Sequence, residues 1–252
     1  MVTWLRLVGW DAQQLAGGYK SFRHHVLAQI EATCPQLQLR VICGATGSAK
    51  TRLLQALAAR GEQVLDLEHH ASHKGSLLGA LPGVPQPSQK QFETRIATAF
   101  EALDLARPVY VEGESARIGR LSLPIPLVAR MRGADCIEVQ ADPAARLAYL
   151  LRDYAYLGDD REALAGQLGK LKELQGKAVV DRWQQWARDG ELAPLFAELM
   201  LLHYDPHYER SQAKHFGRWA QRMTVATADL TEAGIEVLAE GVRACEEPTG
   251  RA

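Results

Sequence analysis

The stretch Gly44-Ala45-Thr46-Gly47-Ser48-Ala49-Lys50-Thr51 separates a β-rich apolar run at residues 37–43 from a helix-patterned run at residues 52–60. Strand, glycine-rich loop and helix in that order form the layout of a phosphate-binding P-loop. Its backbone N–H groups converge on an anion at the positive end of the helix. Gly44 and Gly47 are expected to supply positive φ and close ligand approach. Lys50 is placed to neutralise phosphate oxygens, and the Thr51 hydroxyl to bind Mg²⁺. One position departs from the pattern, which has glycine before the lysine where this chain has Ala49. The alanine is expected where the helix has already begun, so that its methyl need not break the backbone. The plainer alternative is a strand-turn-helix junction that happens to contain Gly, Lys and Thr.

The composition is that of a packed globular chain: of 252 residues, 47% are hydrophobic and 23% charged. A formal net charge of -1 gives no global basic field to attract nucleic acid. The four cysteines, Cys34, Cys43, Cys136 and Cys245, form no C-x-x-C pair, which argues against structural zinc and suits a reducing, cytoplasmic setting. No signal peptide is visible, and no apolar run reaches the roughly 18 residues that a membrane-spanning helix needs, so no membrane partner is expected.

Outward from the loop, strand patterns recur at residues 63–67, 108–112 and 134–139. Helix patterns recur at residues 22–32, 88–106 and from Asp142-Pro143 to about 155. This alternation predicts an α/β fold: a P-loop NTPase-like, mostly parallel sheet flanked by helices. Residues 69–88, rich in Pro and Gly, read as a long functional loop. From residue 158 the chain reads as helices, so a C-terminal helical lobe is expected. Glu112, which ends an apolar strand, is the candidate carboxylate for the metal, with Glu114 two residues on. His69, His70 and His73 have no H-E-x-x-H pattern or cysteine partner to support a metal reading.

Several segments together resemble one family. Asp66-Leu67-Glu68 leads into Ala71-Ser72-His73-Lys74-Gly75-Ser76. Val111-Glu112-Gly113-Glu114-Ser115-Ala116-Arg117-Ile118-Gly119-Arg120 follows, and then His203-Tyr204-Asp205-Pro206-His207-Tyr208 with Arg210. Over residues 1–215 these look like the P-loop part of the tRNA 2-selenouridine synthase family. The E-x-E-S-x-x-I-G and H-Y-D-P blocks are far more specific than the loop alone.

The resemblance implies modification of the wobble uridine of tRNA. In that family 2-thiouridine is alkylated with geranyl diphosphate, and the sulfur is then replaced by selenium from selenophosphate. Gly44, Thr46, Gly47, Ser48, Ala49, Lys50 and Thr51 then become the diphosphate cradle, with Mg²⁺ on Thr51 and Glu112. Lys50, Arg117 and Arg120 are expected to stabilise the departing diphosphate. His73, Lys74, Gly75, Ser76, Glu112, Glu114, Ser115, Tyr204, Asp205 and Arg210 are further candidates carried over from the family motifs.

Residues 1–23, with Leu7-Val8-Gly9-Trp10-Asp11 and Gly17-Gly18-Tyr19-Lys20, resemble only the end of a rhodanese domain. The selenium-transferring cysteine of that domain has no counterpart here, and a separate rhodanese-domain protein is the implied partner. The expected division is residues 1–23, a P-loop α/β core over 24–157, and a helical lobe with a C-terminal segment over 158–252. Lys170, Lys172, Lys177 and Arg182, with Lys214, His215, Arg218 and Arg222, offer basic groups near Trp183, Trp186 and Trp219 for tRNA, although tryptophans at helical spacing are usually core. Two other readings stay open: a small-molecule or nucleotide kinase using Arg146 and Arg152, and a non-catalytic RNA-binding P-loop module.

Overall fold

The computed structural model describes residues 2–246. A short helix α1 (Val2–Leu7) precedes α2 (Gly18–Thr33), which Cys34-Pro35 closes before β1 (Gln38–Gly44). There follow α3 (Lys50–Ala59), β2 (Gln63–Leu65), α4 (Leu67–Ala71), a long loop, α5 (Gln89–Glu101) and β3 (Pro108–Glu112). A small hairpin, β4 (Arg117–Ile118) and β5 (Leu121–Ser122), then leads through α6 (Ile125–Arg132) to β6 (Asp135–Ala141) and α7 (Pro143–Asp153).

The five main strands pair in parallel in the order β2-β3-β1-β6-β7, so β1 is central and the loop after it opens at the carboxyl end of the sheet. From β3 the chain passes over β1 to reach β6. This reversal of strand order leaves a crevice beside β1, the usual ligand position in open parallel sheets. Both faces are covered, which explains the unbroken apolar runs in the strands. Leu39, Val41 and Cys43 of β1 pack with residues of α2, α5 and α6, while Ile42 joins those of α3 and the C-terminal helix.

Residues 158–215 are helical, as expected: α8 (Arg161–Leu168), α9 (Lys172–Gln175), α10 (Lys177–Asp189), α11 (Leu192–Leu199) and α12 (Asp205–His215). Their core includes Leu164, Leu168, Val180, Trp183, Leu195 and Leu199. Leu150 of α7 and Leu78 of the long loop pack into it and fasten the lobe to the sheet domain. Between α11 and α12 the helix widens into a π turn over Met200–Tyr204.

The chain then returns to the sheet. Strand β7 (Met223–Thr227) extends it beyond β6, and α13 (Glu232–Glu246) packs on β7 and α3. The C-terminal segment therefore belongs to the α/β core. Its strand is short and at the edge, and its partner lies more than 80 residues upstream. Asp142 precedes α7 as expected, but its side chain makes no capping bond, and the helix starts on Pro143.

Trp183 lies at the centre of the lobe, fully buried, and its indole N–H donates to Glu198 Oε2 at 2.7 Å. It is therefore unavailable for stacking on RNA. Trp186 is partly buried against the same core, and Arg182 lies 5.5 Å from its ring centroid. Replacing Trp183 with Ala is expected to lower unfolding stability by about 3–5 kcal/mol, measured by urea denaturation. A loss below about 1 kcal/mol would mean the lobe does not depend on this contact.

Candidate functional site

The loop after β1 closes on itself. The Lys50 ammonium donates to the Gly44 carbonyl at 2.9 Å, and Ser48 N–H donates to Ala45 O at 3.1 Å. Gly47 has φ 82°, and a Cβ there would meet Leu150 Cγ at 2.9 Å, so α7 and the loop could not pack as they do with any other residue. Gly44 has no positive φ; its need for glycine is the close approach of Ser48. The second left-handed position is Ala49, with φ 57° and ψ 33°. The alanine thus stands just before the helix rather than within it, in a conformation that strains L-residues by about 1–2 kcal/mol. Its methyl is buried against the α3 side of the core, which offsets part of that strain.

A second layer holds the loop in place. The Arg146 side chain, almost fully buried on α7, donates from Nε to Thr46 O at 2.9 Å. Its two terminal nitrogens form a bidentate pair with Asp205 at 2.6 and 3.0 Å. One guanidinium therefore joins the P-loop, α7 and the start of α12.

The loop opens on a cleft of about 440 Å³. Facing Lys50 and Thr51 stand Glu68, Glu112 and Glu114, each offering a carboxylate oxygen within 4.8 Å of the others. Thr51 Oγ1 donates to Glu68 Oε2 at 3.2 Å. Gly75, with φ 67°, lies against this cluster; a Cβ there would come within 2.8 Å of Glu114 Oε2 and 2.7 Å of Glu68 Oε1. Burial, followed by the neighbouring Glu112, pushes the Glu114 carboxyl up to about 7. Burial, followed by Glu112 and Glu114, raises Glu68 to about 10, and burial also raises Glu112 against the pull of Lys50. Glu112 Oε1 is buried with no hydrogen-bond partner.

The cations lining the cleft are Lys50, Arg52 and Lys74, against the carboxylates Glu68, Glu112, Glu114 and Asp153. Lys74 Nζ is itself held by Asp153 at 2.8 Å and lies 4.4 Å from the Tyr154 ring centroid. Once these carboxyls ionise they oppose a diphosphate, and a further cation would relieve that repulsion. Oxygen ligands, an orphaned buried carboxylate oxygen and the threonine of a P-loop suit Mg²⁺, so the residues fit that ion.

The structure divides the sequence-derived candidates. Thr46, Gly47, Ala49, Lys50, Thr51, Lys74, Gly75, Ser76, Glu112, Glu114 and Tyr204 line the cleft. Ser76 lies within hydrogen-bonding reach of both Tyr154 and Tyr204. Gly44 and Ser48 support the loop from behind, and Asp205 acts there through Arg146. His73 is buried beside the cleft, outside its lining. Arg117 and Arg120 do not reach the cleft. They lie on the β4–β5 hairpin, where Arg120 donates to Gln86 O at 2.6 Å and anchors the long loop. Ser115 bonds the Arg117 backbone, and Arg210 bonds Pro206 O on its own helix.

Arg146 is engaged as described and Arg152 donates to Leu230 O at 2.9 Å, so neither kinase-type arginine lines the cleft. Residues that sequence reasoning left out of the site are Glu68, Arg52, Gln55, Tyr149, Asp153 and Tyr154. For Glu68 a signal existed: an acidic residue just after a strand that neighbours β3.

The buried carboxylates hold protons that the unfolded chain would release. The metal-free fold therefore loses stability as pH rises from 4.5 through about 7, the folded value for Glu114. Mg²⁺ is expected to raise the melting temperature more at about pH 8 than at about pH 5.5. Equal increments would remove the carboxylates as its ligands. Asp205→Asn is expected to reduce stability by about 2 kcal/mol and to weaken pyrophosphate binding, read by calorimetry. Unchanged values would show that Arg146 holds the loop without its partner.

A family model described as the tRNA 2-selenouridine synthase AAA domain matches residues 37–175. The tRNA 2-selenouridine synthase of Alcanivorax borkumensis is 39% identical over 60% of this chain and 41% of its own length. That of Nitrosomonas europaea is 38% identical over 60% of this chain and 40% of its own. That of Chromohalobacter salexigens is 32% identical over 88% of this chain and 68% of its own. The chain thus spans about two fifths of the first two relatives in the aligned region. With its P-loop, parallel sheet and matching blocks, the chain belongs to the tRNA 2-selenouridine synthase family.

Proposed function

We propose that the cleft binds the diphosphate of an allylic isoprenoid, geranyl diphosphate, and alkylates the sulfur of 2-thiouridine at the wobble position of tRNA. The observation that carries this reading is the junction of two surfaces. The polar cleft at Lys50 adjoins an apolar recess lined by Leu78, Leu150, Phe196, Leu199 and Met200. Thr46, Ser76, Leu150, Tyr154 and Tyr204 line both. A diphosphate held at the helix N-terminus would direct its hydrocarbon chain towards that recess.

The recess now measures about 20 Å³, room for about one water. Entry of the chain therefore needs Leu78 to move, and Leu78 stands on the long loop between Gly75 and Gly83, both at positive φ. Swinging that loop would open the recess.

In the reaction the thiocarbonyl sulfur forms a bond to C1 of the geranyl group as the C1–O bond breaks, and diphosphate leaves with the electron pair. Lys50 and the P-loop N–H groups stabilise the charge that develops on the leaving oxygens. Mg²⁺ held by Thr51 and Glu112, with Glu68 and Glu114, would supply further neutralisation of that charge. The proton on N3 of the alkylated base is lost to water. Cys34, Cys43 and Cys136 are buried, and none of the described cysteines lines the cleft. For replacement of the alkylated sulfur by selenium from selenophosphate, a rhodanese-type unit outside this cleft is the proposed partner.

Incubating 2-thiouridine tRNA with the chain, Mg²⁺ and geranyl diphosphate should add one geranyl group to the base, detected by mass spectrometry of the digested RNA. Absence of the adduct with diphosphate bound would remove the transferase reading. Lys50→Ala should weaken pyrophosphate binding by roughly a hundredfold, since a charge-assisted contact is lost at a preformed anion site, while the melting temperature stays close to wild type. Unchanged affinity in calorimetry would place the diphosphate elsewhere.

A further inference from the structure

A second cavity, of about 190 Å³, lies between the loop that follows β3, helix α6 and the end of α12. Glu114 lines both this cavity and the P-loop cleft, so the two meet at one residue. Val128, Met131 and Phe216 form its apolar wall. Gln212, one turn before Phe216 on the same side of α12, also lines it and is 6% exposed. Its Oε1 has no hydrogen-bond partner, and its amide nitrogen makes only a 3.3 Å contact with Ser211 Oγ. A buried amide left in this state calls for a ligand that is itself both donor and acceptor.

We infer that this cavity holds the acceptor pyrimidine base of the RNA, read through its imide edge by Gln212. The inference rests on the reading of the chain as one that acts on a tRNA uridine. The side-chain amide presents an acceptor beside a donor, the complement of the N3–H and O4 of uracil and its 2-thio derivative. At about 190 Å³ the cavity is far larger than the ~10–15 Å³ that one water needs by the same measure, and it has room for a six-membered heterocycle. Phe216 and Met131 offer it apolar contact. Arg132 and His215 line the cavity and are exposed to solvent. Lys214 precedes His215 in sequence, Arg218 lies three residues beyond it and is paired with Asp135 at 2.9 Å, and a backbone phosphate beside an extruded base would meet this basic margin. The sequence had marked Lys214, His215 and Arg218 of this run as basic groups for tRNA. The base and the diphosphate would then meet at Glu114, the residue that the two cavities share.

The test is photocrosslinking of an anticodon stem-loop RNA with 5-iodouridine at the wobble position, a probe that keeps the imide edge and reacts with neighbouring aromatic, histidine and methionine side chains. The adduct is expected on Met131, His215 or Phe216. Gln212→Leu should reduce its yield roughly tenfold, the loss of one buried hydrogen-bonding group, with melting temperature and pyrophosphate affinity unchanged. Adducts confined to other segments, no adduct, or equal yield from Gln212→Leu would overturn the assignment. So would labelling by free 5-iodouridine monophosphate as efficient as by the stem-loop, which would point to a nucleotide site. The experiment contains no geranyl diphosphate, so its outcome is separate from that of the alkylation assay.

Discussion

The architecture of the site depends on one buried guanidinium. Arg146 holds the carbonyl of Thr46 with one nitrogen and Asp205 with the other two, and so ties the P-loop to helices 59 residues apart in sequence. A buried arginine is tolerated only when its donors are met, and removing a partner leaves the charge stranded in low dielectric. The loop cannot move away, the lobe cannot tilt and α12 cannot turn without breaking that pair. The motif His203-Tyr204-Asp205-Pro206 serves two purposes here. Tyr204 faces the cleft, and Asp205 braces the loop from behind.

A second constraint is electrostatic. Three carboxylates share a space that would suit one, and the protein keeps them there at the expense of stability without metal. Gly75 shows how tightly the cluster is packed, because even a methyl group would collide with two of its members. Such an arrangement makes sense when a cation and an anion arrive together: the cation relieves the repulsion, and the anion then meets Lys50 without an excess of negative charge.

Much of this was legible in the sequence. Strand, loop and helix around Lys50 follow local periodicity, and Glu112 closes the strand expected of it. What was not legible depends on contacts between distant residues. Strand β7 is a five-residue edge strand whose pairing exists only in the folded sheet. Arg117 and Arg120 looked like phosphate ligands because their charge is evident, whereas the hairpin that turns them toward Gln86 is not. Trp183 carried a signal for either core or stacking, and burial decided it. The alanine at position 49 shows a subtler limit. The motif gives the residue, but only the backbone shows that the position it fills is left-handed.

The π turn at Met200–Tyr204 absorbs one extra residue between two helical segments whose faces have separate tasks. Each residue added to or removed from a helix turns the downstream faces by about 100°. A π turn absorbs one extra residue, so a deletion within it would leave the downstream faces nearly in place, whereas a deletion in the flanking α-helix would rotate Asp205 off Arg146 and Gln212 out of its cavity, although neither residue had changed. The extra residue is taken up locally, so the two halves of one helix keep their own registers. The half in the lobe is indexed to the apolar recess, and the half on the core to the loop and the second cavity. Length in the flanking α-helix is therefore under tighter restriction than identity.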